Sequence, residues 1–364
     1  MTSSRTLRRR AAWSVPVLTA AAVGGAALLP STAAASAHPK LPVRTAAQLL
    51  TAVQHSPVQH LSGTIVETAR LGLPTLPGLD NAASLSWQTL VSGTHTARVW
   101  LDGQDRQRLA LLGQLSESDV VHQGRDLWTY ASGSQKVEHT DLGPALASAP
   151  EVTRATPQGA AEQALKAIDP STAVTVDRTA RVAGRAAYTL VLTPRDRRST
   201  VRKVLIAIDA ERNFPLRVQV FGAAPAPAFE SGFTDVSFAR PAASVFRFSP
   251  PKGAKVTSHP LHLGRAELRA EATRTRPAAG MQPTVLGAGW TSVVELPAGK
   301  TGVATTAAGG PTAALLSRLT STLPSGDRLV KSALLNVLLA KDGRILIGAV
   351  APAVLQQAAA GQLR

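Results

Sequence analysis

Apolar and polar residues alternate with a period of two through much of residues 61–256. In the first half of this region, the alternating segments are separated by short turns at Ser92-Gly93, Asp102-Gly103 and Gly124. Such alternation between close turns is typical of a meander of antiparallel strands. The predicted strands are "LSGTIVET" (61–68), "SLSWQTLV" (84–91), "THTARVWLD" (94–102), "DRQRLALLG" (105–113), two within "DVVHQGRDLWTYAS" (119–132), and "KVEHTDL" (136–142).

Two segments with helical periodicity interrupt the strands. Thr45 is a suitable N-cap for "AAQLLTAVQ", and Pro157 at a first helical position opens "PQGAAEQALKAI". Strands resume afterwards and end with a closing segment near Val256. They are predicted in "AVTVDRTARVAG", "RAAYTLVLTP", "VRKVLIAID", "PLRVQVFG", "FTDVSFA" and "SVFRFSPPKGAKV".

The periodicity is lost in residues 257–283, which are polar and rich in arginine and proline and are interpreted as a linker. A smaller unit is predicted over 284–364, with a strand at 290–296, a helix at 311–323 and a hairpin that turns at Asp342-Gly343. A last helix follows Pro352. The predicted fold class is therefore α+β: an open antiparallel sheet over 41–256, then a small α+β domain.

The first 37 residues have the layout of a secretory signal. Basic residues up to Arg10 precede an apolar run, and small residues end at Ala37, after which cleavage is expected. The expected location is extracytoplasmic, either soluble or loosely associated with a membrane. The alternative is an uncleaved N-terminal anchor, because the apolar run is about long enough to span a bilayer.

Composition narrows the expected partners. The chain has no cysteine, so neither disulfides nor a lipid-modified cysteine is possible. Its net charge is +16, and four of these positive charges lie in the predicted signal, which leaves +12 for the rest. An exported basic protein is expected to meet anionic lipid headgroups or wall polymers rather than nucleic acid. A merely solvated basic surface is the alternative interpretation.

Three stretches resemble the lipoprotein-carrier (LolA-like) family. They are "VVHQGRDLWTYASGSQKVEHTDL", "AGRAAYTLVLTP" with "VLIAIDAERNFPLRVQV", and "FTDVSFARPAASVFRFSPPKGAKV". The resemblance covers roughly 41–256 and implies an open half-barrel with helices as a lid. The two-part layout, with "GWTSVVELPAG" opening the second part, also resembles the RseB-like regulators, which add a small C-terminal domain to that half-barrel.

The resemblance implies a protein without enzymatic activity, catalytic residues or cofactor. The motifs G-x-S-x-G, H-E-x-x-H and G-x-x-x-x-G-K-[ST] are absent from the sequence. Two functions are expected: a carrier that shelters acyl chains of lipids or lipoproteins, or a lipid-sensing regulator that holds a membrane-bound anti-sigma factor. A lytic or wall hydrolase whose Ser, His and Asp come from distant positions is the third alternative. A pair of histidines, His259 and His262, is too small a set to predict a metal site.

Two groups of side chains are candidates for binding. An apolar group shares strand faces and could line a cavity, although a plain core is the competing interpretation; it comprises Leu85, Trp87, Trp128, Tyr130, Ile206, Ile208, Phe221 and Phe229. A basic group lies beside a predicted strand and could contact headgroups or a partner, or could simply be solvated; it comprises Arg195, Arg197, Arg198, Arg202 and Lys203. The apolar loop 70–83 is expected either to cover a cavity or to fold back onto the core.

Overall fold

The computed structural model describes residues 39–56, 58–72, 92–113, 116–142, 156–166, 168–260, 282–298 and 320–363. The predicted signal, the predicted strand at 84–91, nearly all of the apolar loop 70–83 and most of the predicted helix at 311–323 lie outside these residues. None of the described helices is long and apolar enough to cross a membrane.

A sheet of twelve strands forms the larger part of the protein. Its order is β12-β6-β5-β4-β3-β2-β1-β11-β10-β9-β8-β7, so it remains open between β12 and β7. The predicted open antiparallel half-barrel is thereby confirmed. The strands are β1 (His60–Arg70), β2 (Ser92–Asp102), β3 (Arg106–Leu112), β4 (Glu117–Gln123), β5 (Asp126–Ala131), β6 (Lys136–Asp141), β7 (Thr172–Val182), β8 (Arg185–Pro194), β9 (Lys203–Asp209), β10 (Pro215–Phe221), β11 (Phe229–Ser237) and β12 (Lys255–Pro260).

Two pairings join strands that are distant in sequence. β1 pairs antiparallel with β11, and Gly63 allows Phe233 and the Asp235 backbone to approach, since a Cβ there would lie 2.4 Å from the Asp235 carbonyl oxygen. β12 pairs with β6 in parallel, from Lys255 beside Lys136 to Pro260 beside Asp141. This parallel pair departs from the purely antiparallel sheet expected from the meander. It also carries the sheet four residues beyond Val256, into the stretch interpreted as a linker.

Two helices lie on one face of the large sheet. α1 (Ala46–Gln54) begins at Thr45 with a capping box, in which Thr45 and Gln48 satisfy each other's backbone N–H groups. α2 (Pro157–Lys166) begins at a proline, as predicted, and its residues Pro157, Gly159 and Ala161 are buried. Both helices contribute to an apolar cluster with β8, β9 and β10. The helical lid is therefore present, and it packs alanines together with Leu49, Leu50, Val53 and Leu165 against the sheet.

A second sheet and one helix form the C-terminal part. Its strand order is β13-β14-β18-β17-β16-β15, and the predicted turn at Asp342-Gly343 joins β17 to β18. The core lies between this sheet and the helix, with Leu338, Leu346 and Leu355 fully buried. The elements are β13 (Thr284–Leu286), β14 (Val293–Leu296), β15 (Ser321–Thr322), β16 (Arg328–Val330), β17 (Asn336–Leu339), β18 (Ile345–Gly348) and α3 (Pro352–Ala359).

The C-terminal part is hydrogen-bonded to the loop between β8 and β9. The Thr200 N–H donates to the Ala349 carbonyl at 2.9 Å, and the Ala351 N–H donates to the Arg198 carbonyl at 2.7 Å. The Trp290 indole donates to the Thr172 hydroxyl at 2.7 Å. Because backbone as well as side-chain groups take part, this junction fixes the position of the loop itself.

Gly222 lies where the large sheet and the C-terminal part are in close contact. A Cβ at Gly222 would lie 2.5 Å from the Ala333 carbonyl oxygen. We expect Gly222→Ala to lower the free energy of unfolding by about 1–3 kcal/mol, because the added methyl group overpacks the junction. Urea denaturation measures this, with the exposed Ala224→Val as the control. Equal midpoints for the two variants would contradict a close junction.

Candidate functional site

The helix-covered face holds two of the predicted ligand residues. Ile206 and Ile208 of β9 are fully buried, and they pack with Leu190 and Leu192 of β8. Leu49 of α1 and Ala161 of α2 close the cluster from above. In this structure, the face beneath the lid is therefore filled by the protein's own side chains. A ligand would reach these isoleucines only if the lid helices moved.

The two predicted phenylalanines lie on different faces. Phe229 packs against the helix-covered cluster and pairs with Val220, which in turn pairs with Val204. Phe221 is adjacent to Val220 in β10 and therefore points to the opposite face. There its ring lies 4.7 Å from the Lys203 ammonium nitrogen. Of the two phenylalanines, only Phe229 packs against the cluster that contains Ile206 and Ile208.

Trp128 and Tyr130 also lie away from the apolar face. In the sheet register Trp128 pairs with Val121, and Val121 pairs with Arg108, so these three side chains share one face. Buried Leu109 is adjacent to Arg108 in β3 and therefore lies on the opposite face. The Trp128 ring stacks on His139 at 4.0 Å and lies 5.3 Å from Phe248; that phenylalanine is also 6.2 Å from Tyr130. The segment after β11 thus covers these two aromatic residues.

The eight apolar candidates consequently do not form one wall. Ile206, Ile208 and Phe229 share the helix-covered cluster, whereas Trp128, Tyr130 and Phe221 lie on opposite-facing positions of their strands. Leu85 and Trp87 lie outside the described residues. Alternation correctly paired neighbours within a strand, but it does not tell which face the helices cover.

The five basic candidates lie at the loop between β8 and β9, and all are exposed. Asp196 binds the Arg198 guanidinium through both carboxylate oxygens, which holds the pKa of Asp196 below its usual value. Arg197 and Arg202 line a pocket of about 420 Å³ beside the same loop. Arg195 and Lys203 flank the loop. The group is thus a basic surface whose backbone the C-terminal part holds in place.

A cavity opens between the two lid helices, and we name it the lid slot. It has a volume of about 460 Å³, and Phe214 and Pro215 at the start of β10 contribute to its wall. The helices contribute apolar Val53 and Leu165 together with polar side chains. The full lining is Val53, Gln54, Ser56, Gln158, Glu162, Leu165, Lys166, Phe214 and Pro215. Its size falls in the range of small-molecule sites.

An acidic side chain lies on the apolar side of β1. Ile65, Glu67 and Ala69 occupy alternate positions, and Ile65 and Ala69 belong to two different apolar clusters. Burial raises the pKa of Glu67 to about 7. Within the described residues, its carboxylate has no ion pair or hydrogen bond. Ser231, opposite Glu67 on β11, is 2% exposed, and its hydroxyl is also without a partner.

Neither the lid slot nor Glu67 was among the residues proposed from the sequence. A signal for Glu67 was present, because "LSGTIVETAR" places it in register with Leu61, Gly63, Ile65 and Ala69. The slot had no comparable signal, since its residues come from three separate segments. Groups of three or more His, Asp or Glu side chains able to hold a metal are not found among the described residues.

Comparison with known proteins was made by sequence and by structure. No family model matches the chain, and the search of curated proteins returns no match. Among solved structures, the Pseudomonas aeruginosa MucA/MucB complex is 17% identical, covers 86% of this chain and 96% of that chain, and has a TM-score of 0.42. The likeness extends to the fold alone.

Two further solved structures cover little more than half of this chain. A LolA superfamily protein from Nitrosomonas europaea is 12% identical over 57% of this chain and 99% of its own, with a TM-score of 0.23. A putative outer membrane lipoprotein-sorting protein domain from Vibrio parahaemolyticus is 11% identical over 53% and 92%, with a TM-score of 0.21. The resemblance in fold predicted from the sequence is confirmed.

Proposed function

We propose that this protein is an exported, non-enzymatic binding protein that shelters acyl chains of lipids or lipoproteins beneath its helical lid. The observation that carries the proposal is the lid slot, which lies between the two helices that cover the apolar face. Its walls combine apolar Val53, Leu165 and Phe214 with polar side chains at α1 and α2. Such a mixture suits the entrance for a ligand that has both a hydrocarbon chain and a polar group.

The composition of the lid limits the cost of displacing it. The buried residues of α2 are Pro157, Gly159 and Ala161, and α1 buries Leu49 alone. Each buried methylene contributes about 0.8 kcal/mol, so moving the lid loses the contribution of Leu49 and part of that of the half-buried Leu50, Val53 and Leu165. An acyl chain entering in its place would bury many methylenes against Leu190, Leu192 and Ile206. The exchange therefore favours the bound state.

The surface charge suits an anionic membrane as the place where the chain is taken up or delivered. Arg195, Arg197 and Arg202 are exposed on one loop, and the net charge of +16 adds long-range attraction. The Arg202 guanidinium donates to the Arg197 carbonyl at 3.3 Å, and all three side chains are exposed and so accessible to headgroups. This contact is expected to weaken as salt rises.

A slot-filling substitution tests the proposal. We expect Val53→Trp to weaken the binding of a fluorescent fatty acid by about tenfold or more, because the indole occupies the lid slot. The matched control is Val43→Trp, since Val43 is 99% exposed and lies in the same N-terminal segment. Titration of the mature protein measures both. Equal affinities for the two variants, or no binding by the unmodified protein, would contradict the proposal.

A further inference from the structure

The apolar side of β1 and β11 is interrupted by one polar row. Glu67 on β1 lies opposite Ser231 on β11 and opposite His95 on β2. On the same face of the sheet, the row before Glu67 pairs Ile65 with Phe233, and the row after it pairs Ala69 with Phe229. The polar row therefore lies between two apolar clusters, where a carboxylate loses most of its hydration.

Both Glu67 and Ser231 are left unsatisfied within the part of the chain that the structure describes. Ser231 is 2% exposed, its hydroxyl has no partner, and it points to the same side as Glu67. A buried polar group without a partner costs about 1–3 kcal/mol, and such groups in native proteins call for an explanation. A ligand that donates hydrogen bonds to both oxygens would remove this cost.

The row also lies next to the lid slot. Phe214 of the slot packs against Phe233, with ring centroids 6.2 Å apart. Phe233 is the next residue after Ser231 on the same side of β11, roughly 7 Å along the strand. An alkyl chain that follows Phe233 from the slot would bring its polar end to Glu67.

From this geometry we propose that Glu67 and Ser231 bind a primary ammonium group carried on a hydrocarbon chain. The ammonium is the group that neutralises a carboxylate and still has protons for a hydroxyl oxygen. Among the described strand neighbours of Glu67, His95 on β2 is the titratable one, and Phe229, Ser231 and Phe233 on β11 do not titrate. This inference rests on the proposed function, because it names the polar end of the sheltered ligand.

Competition between dodecylamine and dodecanol, both displacing a fluorescent fatty acid, tests the inference. At about pH 8.5, where Glu67 is ionised, we expect the amine to bind about tenfold more tightly than the alcohol, and this preference should disappear at about pH 5. Glu67→Gln should remove the preference for the amine over dodecanol at both pH values. Ser231→Ala should reduce the preference while retaining its pH dependence.

Glu230→Gln is the matched control, since Glu230 lies on β11 next to Ser231 and points to the opposite face. It should keep the full preference for the amine. If the unmodified protein binds amine and alcohol equally at both pH values, the ammonium site is refuted and the proposed function stands. If neither compound displaces the probe and the probe itself does not bind, the proposed function fails.

Discussion

Replacing Asp209 with alanine is expected to lower the free energy of unfolding by about 3 kcal/mol, because it removes a buried carboxylate that pairs with the partly exposed Arg185 and accepts two backbone hydrogen bonds. Asp209 is 1% exposed and binds the Arg185 guanidinium through both carboxylate oxygens. The same carboxylate accepts backbone N–H groups from Glu211 at 3.0 Å and Arg212 at 2.6 Å. The substitution would leave these two backbone N–H groups unsatisfied at the β9–β10 turn, while Arg185 would keep its ion pair with Glu211.

Denaturation by urea near neutral pH would measure this loss. Asp209→Asn should cost less, because the amide oxygen can still accept the two backbone N–H groups. Asp196→Ala is the matched control: its pair with Arg198 is exposed, and such pairs contribute about 0–1 kcal/mol. A loss at Asp209 no larger than the loss at Asp196 would show that the turn does not depend on the carboxylate.

The second large effect is a gain in stability. We expect Glu67→Gln to stabilise the protein at about pH 8 by up to about 3 kcal/mol, since each pKa unit corresponds to about 1.4 kcal/mol. Burial raises the pKa of Glu67 from 4.5 to about 7, so between these values the folded protein retains a proton that the unfolded chain has lost. Its stability therefore falls as pH rises through this window. Solvent at the half-buried carboxylate reduces the full value.

Thermal unfolding at several pH values distinguishes this pH-dependent stabilisation from a change in stability that is the same at every pH. The difference between Glu67→Gln and the unmodified protein should be near zero at about pH 4 and should reach its plateau at about pH 8. Glu230→Gln is the matched control, because Glu230 lies on the opposite face of β11, where it accepts a hydrogen bond from Gln219. A constant difference at every pH would mean that Glu67 is not desolvated in the folded protein.

The strands were largely predictable because their alternation and turn residues are local signals. β8, β9 and β10 lie where "RAAYTLVLTP", "VLIAID" and "PLRVQVFG" place them, and β17 and β18 turn at Asp342-Gly343. The pairing of β12 with β6 was not predictable in this way. It depends on a segment that crosses β3 and β4 and places Phe246 in a fully buried position, and such a path has no period in the sequence.

The apolar candidate residues were also predictable only in part, because alternation is a local signal. Alternation indicates that Trp128 and Tyr130 share a face, and they do, but both faces of β5 are partly covered. Only the tertiary structure shows that Phe248 covers these rings, whereas helices cover Ile206 and Ile208. The composition of a strand therefore identifies a buried face without telling which element buries it. Glu67 was different, since an acid on the apolar face of β1 was visible in the sequence itself.

The long-distance pairings of β1 with β11 and of β6 with β12 set an order for folding. During synthesis, β1 to β6 can form as a meander of adjacent hairpins, whereas both outer edges of that meander wait for strands that emerge more than a hundred residues later. Closing such large loops slows folding, and unpaired edges invite association with other chains. A chaperone that holds the nascent meander until β12 arrives would therefore raise the yield of this protein more than a faster-folding core would.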